Sequence, residues 1–223
     1  MLVKRVLRYV AKTKAMVLRY AVQPNSAFHN QLQTWVDANY GGEAGNLHDA
    51  RSFSGLALFM NGGAVMGKST TQRAVAQSTA EAEYAGLSGG GRHLMYASNL
   101  AAAMGLIQKL PMVVLEDNQA AIAIASGPVS STRTRHMLIR AHYIRDLVAK
   151  GYVKVVYCPT VDMVADIFTK PLDRIKFERF RDMLLGHAPV AAPVTAIPGM
   201  MAATMDNEED EGPFYGYSDP DYD

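Results

Sequence analysis

Length, composition and charge exclude several classes of protein. The chain has 223 residues, 49% of them hydrophobic, and its 22 basic residues nearly balance 21 acidic ones, which is typical of a globular protein of one or two domains. The lone Cys158 excludes an intramolecular disulfide and favours a reducing compartment. The sequence predicts no membrane span because no apolar run reaches about 18 residues, and no secretion because no charged-then-apolar stretch ends in a small-residue cleavage site.

The net charge of +1 conceals a division of charge along the chain. Residues 206–223 hold eight acidic residues and no basic one, which leaves +9 on residues 1–205. A basic body of this kind attracts polyanions such as nucleic acid, although basic surfaces also occur on proteins that bind none. Charge therefore permits a nucleic-acid partner without establishing one.

The first 22 residues predict a basic amphipathic helix, since they carry six basic residues, no acidic one and apolar residues at helical spacing. A mitochondrial presequence would look similar, but presequences favour serine and this stretch has none. We interpret residues 1–28 as a connecting helix that packs on a neighbouring domain.

The following segments predict a meander of strands and then alternating helices and strands. Alternating apolar and polar residues predict three antiparallel strands, at residues 32–37, 51–60 and 64–69. Asn61-Gly62-Gly63 forms the turn between the last two, and Ser78 or Thr79 caps a long helix over residues 81–104. The remaining elements are a strand at 112–115, helices at 118–125 and 136–150, a strand at 152–157 and a helix at 164–169.

This order of elements predicts an α/β fold, a mixed five-stranded sheet with three antiparallel strands and two further strands, flanked by helices. We expect one domain over residues 29–170 and a C-terminal helix over residues 171–186. Residues 187–223 offer no periodic apolar pattern to bury, so we expect a disordered acidic tail there.

Four acidic residues lie where this topology lets them converge: Asp37, Glu81, Asp117 and Asp166. They follow strands or begin helices, the places at which a sheet presents side chains to a cleft. Taken singly, each has a structural explanation, as a turn residue, a first-turn acid, a helix cap or a solvated helix face.

Taken together, the segments WVDANYGG, STAEAEYAGLS, LEDNQAAIAIA and VDMVADIFTKPL follow one another at specific spacings. Over residues 3–185 the chain resembles the ribonuclease H domain at the C-terminal end of the copia-type retrotransposon Pol polyprotein. The resemblance implies a ribonuclease H-like fold with four metal-binding carboxylates. Carried over residue by residue, these are Asp37, Glu81, Asp117 and Asp166.

Such carboxylates imply two Mg²⁺ ions, with Mn²⁺ as an alternative, because hydrolysis of a phosphodiester needs an activated water and neutralised charge. By resemblance Asp37 bridges the ions, Glu81 and Asp117 hold the one near the leaving group, and Asp166 helps to hold the other. Glu83 competes with Glu81, since only one of the two can face the metals, and the family register favours Glu81. Glu116, next to Asp117 on a strand, is expected on the surface.

Substrate contacts are also implied by the resemblance. Asn118 and Gln119 are candidates for hydrogen bonds to the minor groove of an RNA/DNA hybrid, although Asn118 equally suits a helix cap. The basic residues that could hold phosphates of the DNA strand are Arg133, Arg135, Arg140, Arg145, Lys150 and Lys154, and a solvated helix face would look the same.

Several positions depart from the family pattern. Asn39 replaces an aspartate, Leu138 stands in place of an aspartate, and Gly67 stands where tryptophan is common. Loss of that large side chain predicts looser packing near the third strand.

The leading hypothesis is an Mg²⁺-dependent endonuclease that cuts the RNA strand of an RNA/DNA hybrid, with the reverse transcriptase of the same polyprotein as partner. The alternative is a catalytically silent relic that keeps the fold as a nucleic-acid-binding or structural module. We expect a cytoplasmic location, in the virus-like particle of an active element, with the nucleus as the alternative, and no membrane partner.

Overall fold

A five-stranded sheet organises the part of the chain that the computed structural model describes, residues 2–21, 29–41, 50–127 and 142–190. The strands are β1 Gln33–Asn39, β2 Phe53–Met60, β3 Gly63–Thr71, β4 Met112–Glu116 and β5 Val153–Tyr157. They lie in the order β3-β2-β1-β4-β5, antiparallel from β3 to β1 and parallel from β1 to β5. The predicted mixed α/β sheet is confirmed.

The helices follow the predicted order. They are α1 Leu2–Thr13, α2 Thr79–Ala103, α3 Gln119–Ser126, α4 Tyr143–Ala149 and α5 Arg174–Leu184, with short 3-10 helices at Thr160–Asp162 and Val164–Phe168. The helix predicted at 164–169 is therefore a 3-10 helix, and residues 136–141 of the helix predicted at 136–150 lie outside the described residues. None of the described helices combines the length and the apolar character needed to cross a membrane.

Both faces of the sheet are covered. On one face the even-numbered side chains of β1 and β4, such as Val36 and Val114, pack with residues of α2, α3 and α4. On the other face Trp35, Phe59 and Leu115 pack with the second 3-10 helix and with α5. Successive residues of the central strands are therefore buried on opposite sides, and neither side of these strands faces water.

The position of Gly67 on β3 does not leave a gap in the packing. The Phe168 ring lies against it, and a Cβ atom on Gly67 would lie only 2.6 Å from Phe168 Cζ. The prediction of looser packing at this position is therefore wrong, because an aromatic side chain from the 3-10 helix takes up the space.

The segments that follow α1 and α5 lie together beside the β2–β3 turn. The N–H of Arg19 donates to the Leu185 carbonyl at 2.8 Å, and the N–H of Ala21 donates to the Asn61 carbonyl at 2.9 Å. Ala188 and Val190 pack against the core on the α5 side, so the packed chain continues to residue 190, past the predicted start of the tail. Residues 191–223 of that tail lie outside the described residues.

Helix α1 contacts α5 through Tyr9, whose ring centroid lies 5.6 Å from that of Phe177 in an edge-to-face arrangement. Its other large apolar residues, including Val3, Val6, Leu7 and Val10, are exposed. The predicted amphipathic helix is present, and its apolar face is not covered by the described residues. The division of the chain at residues 28 and 170 stays a prediction.

Candidate metal centre

The candidate centre lies where the adjacent parallel strands β1 and β4 end. Gln33, Thr34 and Trp35 pair with Val113, Val114 and Leu115. Two residues beyond this pairing come Asp37 and Asp117, at the same edge of the sheet. This edge, at the carboxyl ends of parallel strands, is where open α/β sheets place ligands.

Three carboxylates meet at this edge. Each of Asp37, Glu83 and Asp117 offers one oxygen, and these oxygens all lie within 4.8 Å of one another. Oxygens at this separation repel one another when ionised, and Mg²⁺ prefers hard oxygen ligands of this kind. The group is therefore chemically suited to a divalent cation.

The glutamate that α2 contributes is Glu83, so the prediction that Glu81 faces this group is corrected. Glu81 instead stabilises the start of α2: its N–H donates to the Ser78 side chain at 3.2 Å, and its carboxylate accepts from the Gln77 N–H at 2.7 Å. This reciprocal arrangement resembles a capping box. Because the two glutamates lie about 200° apart on the helix, the capping role of Glu81 turns Glu83 towards the sheet.

The Glu83 side chain is 4% exposed, and its Oε2 atom has no hydrogen-bond partner among the described residues. Burial and, next, the Asp37 and Asp117 carboxylates raise the pKa of Glu83 to about 9. A buried carboxyl oxygen without a donor is an open position for a cation, so the residues present fit a divalent ion.

Asp37 has partners from the segment that follows the second 3-10 helix. The Thr169 hydroxyl donates a short hydrogen bond to Asp37 Oδ2, and Lys170 Nζ lies 3.7 Å from Asp37 Oδ1. Burial raises the pKa of Asp37 to about 6, although the Thr169 hydrogen bond and the Lys170 charge oppose that rise. Asp37 is thus held in place from both oxygens.

Asp166 lies beyond Lys170 and is not one of the three converging carboxylates. It is fully buried, with Lys170 Nζ 2.7 Å from its Oδ1 and Lys176 Nζ 2.5 Å from its Oδ2. Asp166, the fourth predicted ligand, therefore lies near Asp37, and Lys170 contacts both carboxylates.

Asp117 is half-buried, and its Oδ2 accepts a hydrogen bond from the Thr160 hydroxyl at 2.7 Å. The first 3-10 helix, which Thr160 begins, thus fixes this carboxylate. Sequence inspection did not select Thr160 or Thr169 as site residues. A hydroxyl one residue before Lys170 or three after Tyr157 carries no distinguishing pattern, although both belong to the segment that bears Asp166.

Glu116 is fully buried, so the expectation that it lies on the surface is wrong. It occupies the α2 side of β4 and accepts from the N–H of Asn118 at 3.0 Å. Burial and the nearby Glu83 raise its pKa well above the usual range. Strand alternation does separate it from Asp117, but the face opposite to Asp117 is covered by helices instead of water.

The predicted nucleic-acid contacts are only partly within the described chain. Asn118 caps α3, with its side-chain oxygen accepting from the Ala121 N–H at 3.0 Å, which confirms its capping role, and Gln119 is exposed. Arg133 and Arg135 lie outside the described residues. Arg145 donates to the Gly127 carbonyl at 2.8 Å, and Lys150 pairs with Asp146 at 2.9 Å.

Comparison with known proteins identifies relatives. The chain is 31% identical over 177 residues to the retrovirus-related Pol polyprotein from transposon RE2 of Arabidopsis thaliana, covering 79% of this chain and 12% of the relative. It is 31% identical over 186 residues to that from transposon TNT 1-94 of Nicotiana tabacum, covering 83% of this chain and 13% of the relative. The chain is homologous to copia-type retrotransposon Pol polyproteins.

A yeast relative extends this homology to fungi. The chain is 31% identical over 146 residues to the transposon Ty1-DR5 Gag-Pol polyprotein of Saccharomyces cerevisiae, covering 64% of this chain and 8% of the relative. The chain thus spans 8% to 13% of the length of the Pol polyproteins named here. No protein-family model matches it.

Two solved structures are also similar. One is the N-terminal ribonuclease H domain of a Mycobacterium tuberculosis protein fused to maltose-binding protein: 15% identity, 68% of this chain, 96% of that chain and a TM-score of 0.43. The other is ribonuclease H1 of Halobacterium salinarum: 17% identity, 62% and 94% coverage and a TM-score of 0.40. The strand order and pairing described above agree with the mixed five-stranded sheet expected from the sequence, and the homology assigns the chain to copia-type Pol polyproteins.

Proposed function

We propose that the chain is an Mg²⁺-dependent endonuclease that hydrolyses the RNA strand of RNA/DNA hybrids, as part of a retrotransposon Pol polyprotein. The observation that carries the proposal is the convergence of Asp37, Glu83 and Asp117 within 4.8 Å at the end of two parallel strands. The copia-type homology supports it, because Pol polyproteins are the source of the related sequences.

The residues present would hold the metal and position its ligands. When bound, Mg²⁺ activates a water molecule and neutralises charge on the phosphate, and Mn²⁺ is the expected substitute. Asp37, Glu83 and Asp117 would bind the cation, and Asp166 would contribute on the Lys170 side. The hydroxyls of Thr169 and Thr160 hold Asp37 and Asp117 in place, which limits the reorganisation needed for binding.

Hydrolysis would leave a 5′-phosphate and a 3′-hydroxyl on the RNA. Gln119 is exposed and Asn118 directly follows Asp117, so both suit contacts to 2′-hydroxyl groups. Arg133 and Arg135 would bind phosphates of the DNA strand. These contacts are carried over from the resemblance to the family.

The expected partner is the reverse transcriptase region of the same polyprotein. The exposed apolar face of α1, formed by Val3, Val6, Leu7 and Val10, offers a surface for it. We propose that the domain acts in the cytoplasm, inside a virus-like particle, with the nucleus as the alternative location.

Cleavage of an end-labelled RNA/DNA hybrid by the purified chain in Mg²⁺ tests this function. Asp117→Asn and Glu83→Gln should abolish cleavage, whereas the matched Glu81→Gln should retain it, because Glu81 caps α2. Single-stranded RNA and duplex DNA serve as substrate controls. A chain that melts cooperatively but cuts no hybrid would contradict the proposal and favour a silent module that keeps the fold.

A further inference from the structure

Lys170 occupies an unusual position between two buried carboxylates. Its Nζ lies 2.7 Å from Asp166 Oδ1 and 3.7 Å from Asp37 Oδ1. No other described lysine contacts both Asp37 and Asp166. The ammonium group thus lies in the gap through which a cation would have to bridge them.

The contact between Lys170 and Asp166 is a close ion pair, with Nζ 2.7 Å from Oδ1. Asp166 is fully buried, yet its Oδ1 atom has no properly oriented hydrogen-bond donor among the described residues. A lysine side chain is positively charged at neutral pH, so Lys170 compensates the charge of the buried Asp166. A buried carboxylate needs a compensating positive charge, and a divalent ion supplies such a charge as well as an ammonium group does.

The two lysines around Asp166 differ in how firmly they are held. Lys176 donates to Oδ2, extends from α5, and lies with its Nζ 5.3 Å from the centre of the buried Phe180 ring. Lys170 lies outside any helix, and its side chain is 37% exposed, against 25% for Lys176. Lys170 can therefore move into solvent while Lys176 still holds Asp166.

We propose that Lys170 is a displaceable internal cation that occupies the space between Asp37 and Asp166 and competes with a divalent ion there. Lys170 is then a positioning residue that sets the divalent-ion affinity of the Asp166 side of the centre. This inference rests on the proposed metal-dependent function, because it concerns the same carboxylates. It also explains how Asp37 and Asp166 remain adjacent and buried before an ion binds.

Calorimetric titration with Mg²⁺ alone, with no nucleic acid present, tests the proposal. Lys170→Met should tighten the weakest Mg²⁺ binding step by about tenfold or more, because a competing charge within 4 Å is removed. Lys176→Met removes an equal charge from the other oxygen of Asp166 and should have a smaller effect. Lys150→Met, which removes a surface charge paired with Asp146, should change nothing.

Displacement can also be observed directly by NMR of the lysine side chains. On addition of Mg²⁺ the Lys170 ε-methylene and Nζ signals should move towards those of an exposed lysine, while the Lys150 signals stay fixed. If Lys170→Met does not fold, Lys170→Gln is used in its place. The Lys170 signal is assigned as the one that is absent from the spectrum of the variant.

The outcomes separate this inference from the proposed function. Equal tightening of Mg²⁺ binding by Lys170→Met and Lys176→Met would overturn the inference. The same holds if Lys170→Met binds Mg²⁺ with the affinity of the unmodified chain and the Lys170 signals do not move when Mg²⁺ binds. Both outcomes would leave the proposed function standing. Binding by Lys170→Met but not by the unmodified chain would support it. A folded chain that binds no Mg²⁺ in any of these forms would overturn both.

Discussion

The buried carboxyl of Glu83 links the stability of the chain to pH. Its pKa is about 9 in the folded chain against an ordinary value of 4.5, so between these values the folded state holds a proton that the unfolded state has released. The free energy of unfolding must therefore fall as pH rises through this window, by at most about 1.4 kcal/mol per pH unit for one such group. Asp37, with a pKa of about 6, adds a smaller effect in the same direction between 3.8 and 6.

Replacing this carboxyl should remove most of that pH dependence. In EDTA, Glu83→Gln should be more stable than the unmodified chain at about pH 8.5 and differ little at about pH 5, since the amide cannot ionise. The measurement is the urea midpoint of unfolding at the two pH values. Saturating Mg²⁺ should restore stability to the unmodified chain at high pH, because it binds the ionised form.

Glu81→Gln is the matched control, since Glu81 serves the start of α2 and a glutamine can still accept the Gln77 hydrogen bond. It should keep the full pH dependence. The same slope in Glu83→Gln and Glu81→Gln would show that Glu83 is not the group that holds the proton.

The aspartates could be selected from the sequence because they follow strands or lie in recognisable segments, and the structure puts Asp37 beside both Asp117 and Asp166. The choice between Glu81 and Glu83 could not be made in the same way. It depends on which glutamate the first turn of α2 uses to satisfy free backbone N–H groups, and both spacings are compatible with a helix. Whether the chosen carboxylates bind metal stays a prediction.

At the scale of elements, the second 3-10 helix lies close to β2, and this approach positions the residues that contact Asp37. Gly55, which pairs with Asp37 across β1 and β2, makes this approach feasible. A Cβ atom there would lie 2.6 Å from Thr169 Cγ2 and 2.8 Å from the Ala165 carbonyl oxygen. Since one of these atoms belongs to the backbone, the segment itself would have to move.

Gly55→Ala should therefore destabilise the chain by about 1–3 kcal/mol and weaken Mg²⁺ binding by moving Thr169 away from Asp37. Urea unfolding and calorimetric titration measure the two effects. Gly89→Ala on α2 is the control: no atom lies within 4 Å of the added Cβ, and the change should stabilise by about 0.5–1 kcal/mol. If Gly55→Ala is destabilised but binds Mg²⁺ with unchanged affinity, then packing at this position does not affect the metal centre.

The regular elements were predictable because their side-chain periods are strong. The strands and α2 fall within about two residues of their predicted bounds, and Asn61-Gly62 forms the predicted turn with positive φ at both residues. The burial of Glu116 was not predictable from alternation, because alternation separates two faces without saying which of them meets water. The packing of Phe168 over Gly67 depends likewise on a contact about 100 residues away in sequence.

At the scale of the whole molecule, α1 contacts α5 through Tyr9, which forms an edge-to-face pair with Phe177 and a hydrogen bond with the Arg181 side chain. Tyr9→Ala should lower the free energy of unfolding by about 1 kcal/mol, because it removes the edge-to-face pair with Phe177. Val6→Ala, at a side chain 59% exposed, should have almost no effect. Chemical denaturation of both variants measures the difference, and equal effects would mean that α1 is not docked through Tyr9 in solution.

The hydrogen bond between the Thr169 hydroxyl and Asp37 joins residues that are 132 positions apart in the sequence. During synthesis on the ribosome, Asp37, Glu83 and Asp117 emerge long before Thr169, Lys170 and Lys176. A nascent chain that ends before residue 160 lacks the hydroxyl groups that fix Asp37 and Asp117 and the ammonium groups that compensate Asp166. The centre can therefore be assembled only after nearly the whole domain has been translated, so an unfinished polypeptide does not present the complete group of carboxylates with the side chains that hold them.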